Sequence, residues 1–266
     1  MKKIAFIGTG NMASAICGGI LNANITSCEN IILYDKNVEQ YSKFPSFCKK
    51  ASSLSEAVSI ADCIFFSVKP QNIKEILIEL KDLEIQNKLF VSICAGITIS
   101  SIENILKDIK IIRTMPNTPL LIGQGVTALC KNKKVTLEEF EYVKSIFSSS
   151  GYTTEVDEEE INRITAITSS SPAYVYLFAK AMLDGAKEMG IDKSNTLEMI
   201  CRTIIGAANM MLLDSRSPDE LIKMVKSPNG TTEKALNVFE NMNFTNIIAE
   251  AMKACSNRAD ELSKID

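Results

Sequence analysis

No histidine occurs anywhere in this chain of 266 residues. That absence excludes Ser-His-Asp and Cys-His hydrolases, zinc sites that depend on histidine, and dehydrogenases that use histidine as their acid or base. The chemistry must then come from hydroxyls, carboxylates, lysine, tyrosine, the backbone or a bound cofactor. We expect no metal site.

Long apolar runs and a strong charge of one sign are also missing. No apolar run approaches the roughly 20 residues that a membrane-spanning helix needs, and the formal net charge is only −3, with the basic residues scattered along the chain. The 8 cysteines form no C-x-x-C pair, and several lie in apolar runs, as reduced core cysteines do. We expect a cytoplasmic globular protein that binds neither membrane nor nucleic acid.

A glycine motif stands near the start of the chain. Gly8-Thr9-Gly10-Asn11-Met12-Ala13 fits the pattern G-x-G-x-x-A, follows an apolar strand at residues 3–8 and opens a predicted helix at 12–22. In that pattern the first glycine allows a tight turn, the second lets the backbone approach a pyrophosphate, and the alanine keeps helix and strand close. The helix N-terminus attracts phosphate. The motif predicts a dinucleotide site at residues 8–12.

The next predicted strand, residues 31–35, ends in an acid where the dinucleotide fingerprint expects one. Asp35 would bind both hydroxyls of the adenosine ribose, which favours NADH. Lys36 and Asn37 follow directly and would instead hold a 2′-phosphate, which favours NADPH. The residues leave NADH and NADPH as alternatives.

Apolar segments and helical patterns alternate through the first half of the chain. Further strands are predicted at 63–68, 89–94, 109–112 and 126–130, with helices at 71–83 and 100–106. Continuous apolar strands separated by helices indicate a parallel sheet covered on both faces, which is an α/β Rossmann-type domain. The pattern changes near residue 157, so we predict a first domain at 1–157 and a second at 158–266.

Almost all of the second domain has a helical pattern. The predicted helices run over 159–189, 194–214, 218–225, 231–241 and 245–264. This all-α domain carries many aliphatic and methionine residues. Most of them are expected in the core, and their number also suits a homodimer interface.

Three turn segments supply candidates for the substrate side. Ser67-Val68-Lys69-Pro70 ends a buried strand, and open α/β sheets place their ligands at that edge. The second segment, residues 113–119, follows another strand and contains two prolines around Asn117. The third, residues 227–232, joins two predicted helices, and the amides at the start of the second helix would suit a carboxylate.

Together these motifs resemble the pyrroline-5-carboxylate reductase family over essentially the full length. The matching segments are Phe6-Ile7-Gly8-Thr9-Gly10-Asn11-Met12, Val68-Lys69-Pro70, Ser92-Ile93-Cys94-Ala95-Gly96, Met115-Pro116-Asn117-Thr118-Pro119, Ser170-Ser171-Pro172-Ala173-Tyr174 and a specific pattern from Pro218 to Ala235. Three residues depart from the family pattern. Lys226 replaces a small residue, Asn229 replaces the first of two glycines, and Ser169 replaces a glycine. Asparagine tolerates positive φ, so the turn at Asn229 can persist.

The resemblance implies NAD(P)H-dependent reduction of 1-pyrroline-5-carboxylate to L-proline, the last step of proline biosynthesis, by hydride transfer to the C=N carbon. It implies that Thr232 is the catalytic residue and hydrogen-bonds the ring nitrogen. The implied substrate-binding residues are Ser227, Asn229, Gly230, Thr231 and Thr232. The implied cofactor-binding residues are Gly8, Thr9, Gly10, Asn11, Met12, Asp35, Lys36, Val68, Lys69, Pro70, Ala95, Met115 and Asn117. The absence of histidine agrees with this implied reaction, because a cyclic imine arrives protonated and needs orientation more than a strong acid.

The resemblance also implies a homo-oligomer. In the family the helical domains of two subunits interlock, and rings of dimers occur, so each site would use both chains. Ser171 and Pro172 would shape the pocket or the dimer.

Two other interpretations stay open at this point. A related two-domain imine or β-hydroxyacid reductase would share the architecture, although the second class needs a catalytic lysine where this chain offers only the late Lys180. A non-catalytic dinucleotide-binding regulator would bind the cofactor without turnover. Cofactor oxidation measured with NADPH and NADH in parallel separates these alternatives.

Overall fold

The structure is a computed structural model that describes residues 2–262. Its strands are β1 Ile4–Ile7, β2 Ile31–Tyr34, β3 Lys49–Lys50, β4 Cys63–Phe66, β5 Leu89–Ser92, β6 Lys110–Pro116, β7 Gly125–Lys131 and β8 Gly151–Glu155. The helices of the first half are α1 Asn11–Asn22, α2 Leu54–Ile60, α3 Ile73–Leu80, α4 Ile99–Ile105 and α5 Leu137–Ser148. Those of the second half are α6 Glu158–Ile164, α7 Ser171–Glu188, α8 Thr196–Leu213, α9 Pro218–Val225, α10 Thr231–Asn241 and α11 Phe244–Leu262.

The 8 strands form one sheet in the order β3-β2-β1-β4-β5-β6-β7-β8. The first six strands have the order of a Rossmann dinucleotide domain, and they are mutually parallel. The α/β prediction is therefore confirmed, but the expectation of a parallel sheet is wrong at one place, because β7 runs antiparallel to β6. The link between them holds only the 3-10 helix Thr118–Ile122. It is shorter than the dozen or so residues that a parallel crossover needs.

Apolar side chains cover the sheet on both faces, as its continuous apolar strands predict. On one face Phe66 and Phe90 stack with ring centroids 5.2 Å apart and pack in the cluster that includes α2 and α3 residues. On the other, Phe6 and Phe65 lie 5.0 Å apart in the cluster that includes α1 and α5 residues. Burial of this apolar surface is the main force that holds the domain together.

Several elements of the first half escape sequence reasoning. The prediction lacks α2, α5, β3 and β8, and it places the remaining ends within a few residues of the observed ones. The signal for α5 is a capping box, in which Thr136 Oγ1 accepts from Glu139 N and the Glu139 carboxylate accepts from Thr136 N. β3 and β8 are short or half-exposed, so they carry no long apolar run.

The predicted helix over 159–189 is wrong as a single element. It is divided into α6, a π-helical segment at Thr165–Ser169, and α7. Within the segment Ser170 N donates to Thr165 O at 2.9 Å, five residues back. Pro172 contributes to the break because it has no N–H to donate to the carbonyl four residues earlier.

The chain divides into two compact units. The first runs to Ser170 and includes the residues from Cys255 onward, and the second is Ser171–Ala254. We call them the cofactor unit and the helical unit. The predicted boundary at 157/158 stays a prediction. The predicted helix over 245–264 appears as α11 Phe244–Leu262, and its last two positions lie outside the described residues.

Within residues 2–262 one helix, α8, is long and apolar enough to cross a membrane by length and composition alone. Only 11% of its 18 residues are buried within the chain. The exposed apolar side chains of α8 therefore have to pack against another surface.

Candidate active site

The glycine motif lies where the strand order reverses, between the ends of β1 and β4. Gly8 follows β1 with φ +93°, a conformation that L side chains rarely adopt. A Cβ built on Gly8 would lie 2.7 Å from backbone atoms of Ser67 and Val68. The structure therefore has the tight turn that the motif predicts, and no side chain fits there.

The second glycine faces open space. Gly10 is the N-cap of α1 without a side-chain cap, and a Cβ built on it would meet no atom within 4 Å. The amides of the first helical turn, which begins Asn11-Met12, lack intrahelical partners. Lys43 Nζ donates to Asn11 Oδ1 at 2.7 Å. An accessible backbone, a positive helix end and an ammonium group together fit a pyrophosphate. Lys43 carries no motif, so sequence reasoning missed it.

The carboxylate of Asp35 lies against the glycine motif. Oδ2 accepts from Thr9 N at 2.7 Å and from Thr9 Oγ1 at 3.0 Å, and Oδ1 accepts from Asn37 N at 2.9 Å. Both oxygens bind protein groups, so Asp35 holds the motif to the end of β2. A contact between Asp35 and the ribose hydroxyls stays a prediction, and it would use the lone pairs that these three bonds leave.

A small cleft opens beside Asp35. Ile7, Val68 and Ile76 give it apolar walls, and Lys36 stands at its edge. Lys36 Nζ donates to Glu75 Oε2 at 2.9 Å, and this hydrogen bond raises the pKa of Lys36. Lys36 is therefore a cation that lines an apolar cleft, with Glu75 as its partner in the chain.

The segment after β4 reaches the same edge of the sheet. Val68 is half-buried, Lys69 is exposed, and Pro70 begins the 3-10 helix Pro70–Asn72. Just before them, Ser67 Oγ is buried and has no hydrogen-bond partner in the part of the chain that the structure describes. A buried hydroxyl without a partner beside the glycine turn is a second feature, after the start of α1, that fits a bound polar ligand.

Ala95 follows β5 at the same edge. The preceding Cys94 Sγ donates to Val68 O at 3.3 Å, which ties the ends of β4 and β5 together. Burial raises the pKa of the Cys94 thiol to about 12. This thiol is therefore neutral near pH 7 and takes no part in acid–base chemistry.

Asn117 binds backbone groups on both sides. Its Nδ2 donates to Thr168 O at 2.9 Å, and its Oδ1 accepts from Val126 N at 2.8 Å. Ser169 Oγ donates to Pro116 O at 3.4 Å. The turn after β6 is thus fastened to β7 and to the π-helical segment, and Asn117 positions it. The predicted contacts of Met115 and Asn117 with the nicotinamide stay predictions.

A buried cation on β6 was not singled out by the sequence. Arg113 is 2% exposed, and its guanidinium donates to Glu158 Oε1 at 3.2 Å and to Asn162 Oδ1 at 2.7 Å. Asn162 Nδ2 donates to Asp260 Oδ1 at 2.9 Å, and Glu158 Oε1 also accepts from Ile99 N at 2.6 Å. The sequence feature that could have revealed this network is an arginine within an apolar strand, because a buried charge is almost always paired.

The predicted substrate residues all come together at the start of α10. Pro228 and Asn229 are the central residues of a turn in which Gly230 N donates to Ser227 O at 3.0 Å. Asn229 has φ 57°, so the expected tolerance of positive φ is confirmed. A Cβ on Gly230 would lie 2.2 Å from Ser227 Oγ, so a side chain at this position would displace the Ser227 hydroxyl.

Gly230 is the N-cap of α10 and offers no side-chain cap. The amides of Thr231 and Thr232 therefore lack intrahelical acceptors, and they open the helix beside the Ser227 hydroxyl. The helix dipole adds a positive partial charge at this end. The arrangement can hold a carboxylate.

A Rossmann sheet with a glycine turn at its switch point, followed by a helical unit, defines a two-domain oxidoreductase of the dinucleotide-binding class. Residues 158–262 match the family described as pyrroline-5-carboxylate reductase dimerisation, and residues 3–96 match NADP oxidoreductase, coenzyme F420-dependent. Pyrroline-5-carboxylate reductase of Escherichia coli K12 is 37% identical over 99% of both chains. The chain belongs to the pyrroline-5-carboxylate reductase family.

Solved structures agree. The crystal structure of Plasmodium falciparum pyrroline carboxylate reductase with NADP bound has a TM-score of 0.92 and 31% identity, and it covers 99% of this chain and 98% of that one. A pyrroline-5-carboxylate reductase from Coxiella burnetii has a TM-score of 0.88 and 33% identity over 99% of both chains. The fold described above is therefore that of the family along the whole chain.

Proposed function

We propose that this chain reduces 1-pyrroline-5-carboxylate to L-proline with NAD(P)H as the hydride donor. The observation that carries the proposal is the turn at residues 227–230, which presents the first amides of α10 in a member of this family. The amides of Thr231 and Thr232 and the Ser227 hydroxyl would bind the substrate carboxylate, while the Gly230 amide closes the turn. The rival lysine-dependent mechanism has no support, because Lys180 is paired with Asp184 on an exposed helix face.

Thr232 would orient the ring. A cyclic imine arrives protonated, and its N–H would donate to Thr232 Oγ1. When the imine carbon accepts a hydride, the C=N π electrons become the nitrogen lone pair and the nitrogen keeps its proton. No side chain has to deliver a proton in this step, in agreement with a chain that contains no histidine. Positioning and charge complementarity supply the catalysis.

Bound NAD(P)H would supply the hydride. Gly8, Gly10 and the start of α1 would hold its pyrophosphate, with Lys43 nearby. Asp35 already binds Thr9 and Asn37, while Lys36 stays cationic at the edge of the cleft. These contacts favour NADPH, because protein donors already occupy the Asp35 carboxylate, and Lys36 would exchange Glu75 for the 2′-phosphate.

We also propose a homodimer built through the helical unit, rings of such dimers, and a cytoplasmic location. The match to the dimerisation family and the exposed apolar side chains of α7 to α10 support the dimer. A partner copy would cover the apolar face of α8, so no lipid is needed to bury it. The free cysteines suit a reducing compartment.

The test is cofactor oxidation by the purified protein with 1-pyrroline-5-carboxylate, measured with NADPH and NADH in parallel. We expect turnover with both and a higher kcat/KM with NADPH. Folded protein that binds the cofactor but oxidises neither form would overturn the proposal in favour of a regulator.

The variant Thr232→Ala tests whether the Thr232 hydroxyl contacts the ring nitrogen of the substrate. Loss of one hydrogen bond to a charged group, worth about 1.5–3 kcal/mol, should lower kcat/KM about 10- to 100-fold and leave cofactor affinity unchanged. Thr232→Ser keeps the hydroxyl and should retain most activity. An equal loss in both variants, or weaker cofactor binding, would remove Thr232 from the substrate.

A further inference from the structure

Two residues that depart from the family pattern, Lys226 and Asn229, meet at one carboxylate. Glu233 is the third residue of α10. Its Oε2 accepts from Asn229 N at 2.8 Å, and its Oε1 lies 3.6 Å from Lys226 Nζ. A single side chain therefore links both departures and closes residues 226–233 into a clip.

Within the clip, the carboxylate of Glu233 places a negative charge beside the site proposed for the substrate carboxylate. Glu233 comes directly after Thr232, in the first helical turn, where its charge would repel an anionic substrate that approaches the same amides. Lys226 has the opposite charge and contacts the other carboxylate oxygen. Its side chain is 39% exposed and that of Glu233 is 26% exposed, so the pair stands at the entrance of the loop rather than in a core.

We propose that Lys226 is a specificity-determining residue, which neutralises Glu233 so that the loop accepts an anionic substrate, and that Glu233 is a positioning residue that holds the Asn229 turn. The proposal rests on the proposed function. Asn229 N points at the start of α10, where it donates to Glu233 Oε2 at 2.8 Å, and the positive φ of Asn229 belongs to the same turn. Glu233 supplies the acceptor, and Lys226 compensates for its charge.

The experiment is a double-mutant cycle on the full-length protein with saturating NADPH. Lys226→Gln leaves Glu233 uncompensated. A unit charge roughly 7 Å from the substrate carboxylate, at a dielectric constant of about 80, changes affinity about threefold, so the KM for 1-pyrroline-5-carboxylate should rise about threefold. Glu233→Gln keeps an acceptor for Asn229 and should lower KM. The double variant should return close to the wild-type KM.

Control measurements distinguish an effect of charge on KM from a change in the structure of the loop. We expect kcat to be unchanged throughout, and the KM differences to shrink at about 0.5 M salt, where charges are screened. The KM for 1-pyrroline, which lacks the carboxylate, should not rise in Lys226→Gln. Lys223→Gln removes the same charge from α9 without breaking the Glu233 pair, and its KM should stay near wild type.

Equal KM values in all variants of an active enzyme would overturn the inference alone. A rise in KM for Lys226→Gln that persists in the double variant or with 1-pyrroline would also overturn it, since that pattern reports a distorted loop. A wild-type protein without turnover would overturn the proposed function, and the inference with it.

Discussion

The two units of this chain differ in how they bury their apolar residues. The cofactor unit encloses whole strands, and all four residues of β1 and of β4 are 0% exposed. In the helical unit the buried residues are Ala179, Ala186, Thr196 and Ile200. Large apolar side chains remain exposed there, including Leu177, Ile205, Met211, Leu212 and Leu213.

The difference shows which part of the fold is complete in one chain. A sheet covered on both faces buries its own apolar surface, so a single copy suffices. A helical layer with its apolar side chains in water has to be covered by another surface. The family match to a dimerisation domain agrees with this reading. Three experiments test whether the two units differ in this way.

The largest effect is expected on association. Ile205 and Leu212 are seven residues apart on α8, hence on one face, and are 56% and 83% exposed. The double variant Ile205→Glu/Leu212→Glu would place two charges in an apolar interface. A cost of several kcal/mol should raise the dimer dissociation constant at least 100-fold. Sedimentation velocity measures it, and activity should fall with the dimer.

Leu137→Glu is the matched control. Leu137 is 69% exposed at the first turn of α5 in the cofactor unit. Glutamate at a helix N-terminus is favourable, so the assembly should not change. A double variant that keeps its assembled mass would show that the α8 face is not the interface.

A smaller effect is expected inside the cofactor unit. Arg113→Leu leaves Glu158 and Asn162 without their buried cation. Because the Glu158 side chain is 31% exposed, loss of the hydrogen bonds to Glu158 and Asn162 should lower the free energy of unfolding by about 1–3 kcal/mol. Urea unfolding should show the same difference at all protein concentrations, because the network lies within one chain. A loss that grows on dilution would contradict the idea that this unit is complete in itself.

The smallest effect concerns thiol reactivity. Burial raises the pKa of Cys63 and Cys94 to about 12 each, so at pH 8 only about one thiol in 10⁴ is the reactive thiolate. Iodoacetamide should leave both unmodified until urea unfolds the protein. Cys201 is exposed and lies four residues before Ile205 on α8. It should be protected in the oligomer and labelled in Ile205→Glu/Leu212→Glu.

Mass spectrometry after timed labelling decides this prediction. Rapid labelling of Cys201 in the intact oligomer would place the interface elsewhere. Labelling of Cys94 in the native protein would mean that the ends of β4 and β5 open readily.

Sequence reasoning predicted the features that depend on local chemistry. Gly8 and Gly10, the apolar strands and the turn at Asn229 all follow from backbone freedom or burial at a single position. It failed where partners come from distant parts of the chain. The antiparallel β7 depends on the length of a link, and the break after α6 involves a carbonyl that Asn117 binds from 51 residues away.

The same distinction applies to the site. Asp35 is visible in the sequence as an acid after β2, but its two donors on Thr9 come within reach only when the glycine motif folds back on it. The roles of Lys43 and Arg113 were missed, because Lys43 meets Asn11 from 32 residues away and Arg113 meets Glu158 from 45 residues away. Glu233 is an ordinary helix residue until Lys226 and Asn229 fold against it.

Residue types at short spacings were sufficient to predict the class of fold, the dinucleotide motif and the family. The groups that those residues bind became known only from the folded chain. Folding turned the Asp35 carboxylate towards the glycine motif and the Asn117 amide towards two backbone groups, and it paired Glu233 with Lys226. The physical reason is that each polar group inside a fold must find a partner, and the partner is chosen by proximity in space, which sequence spacing does not specify.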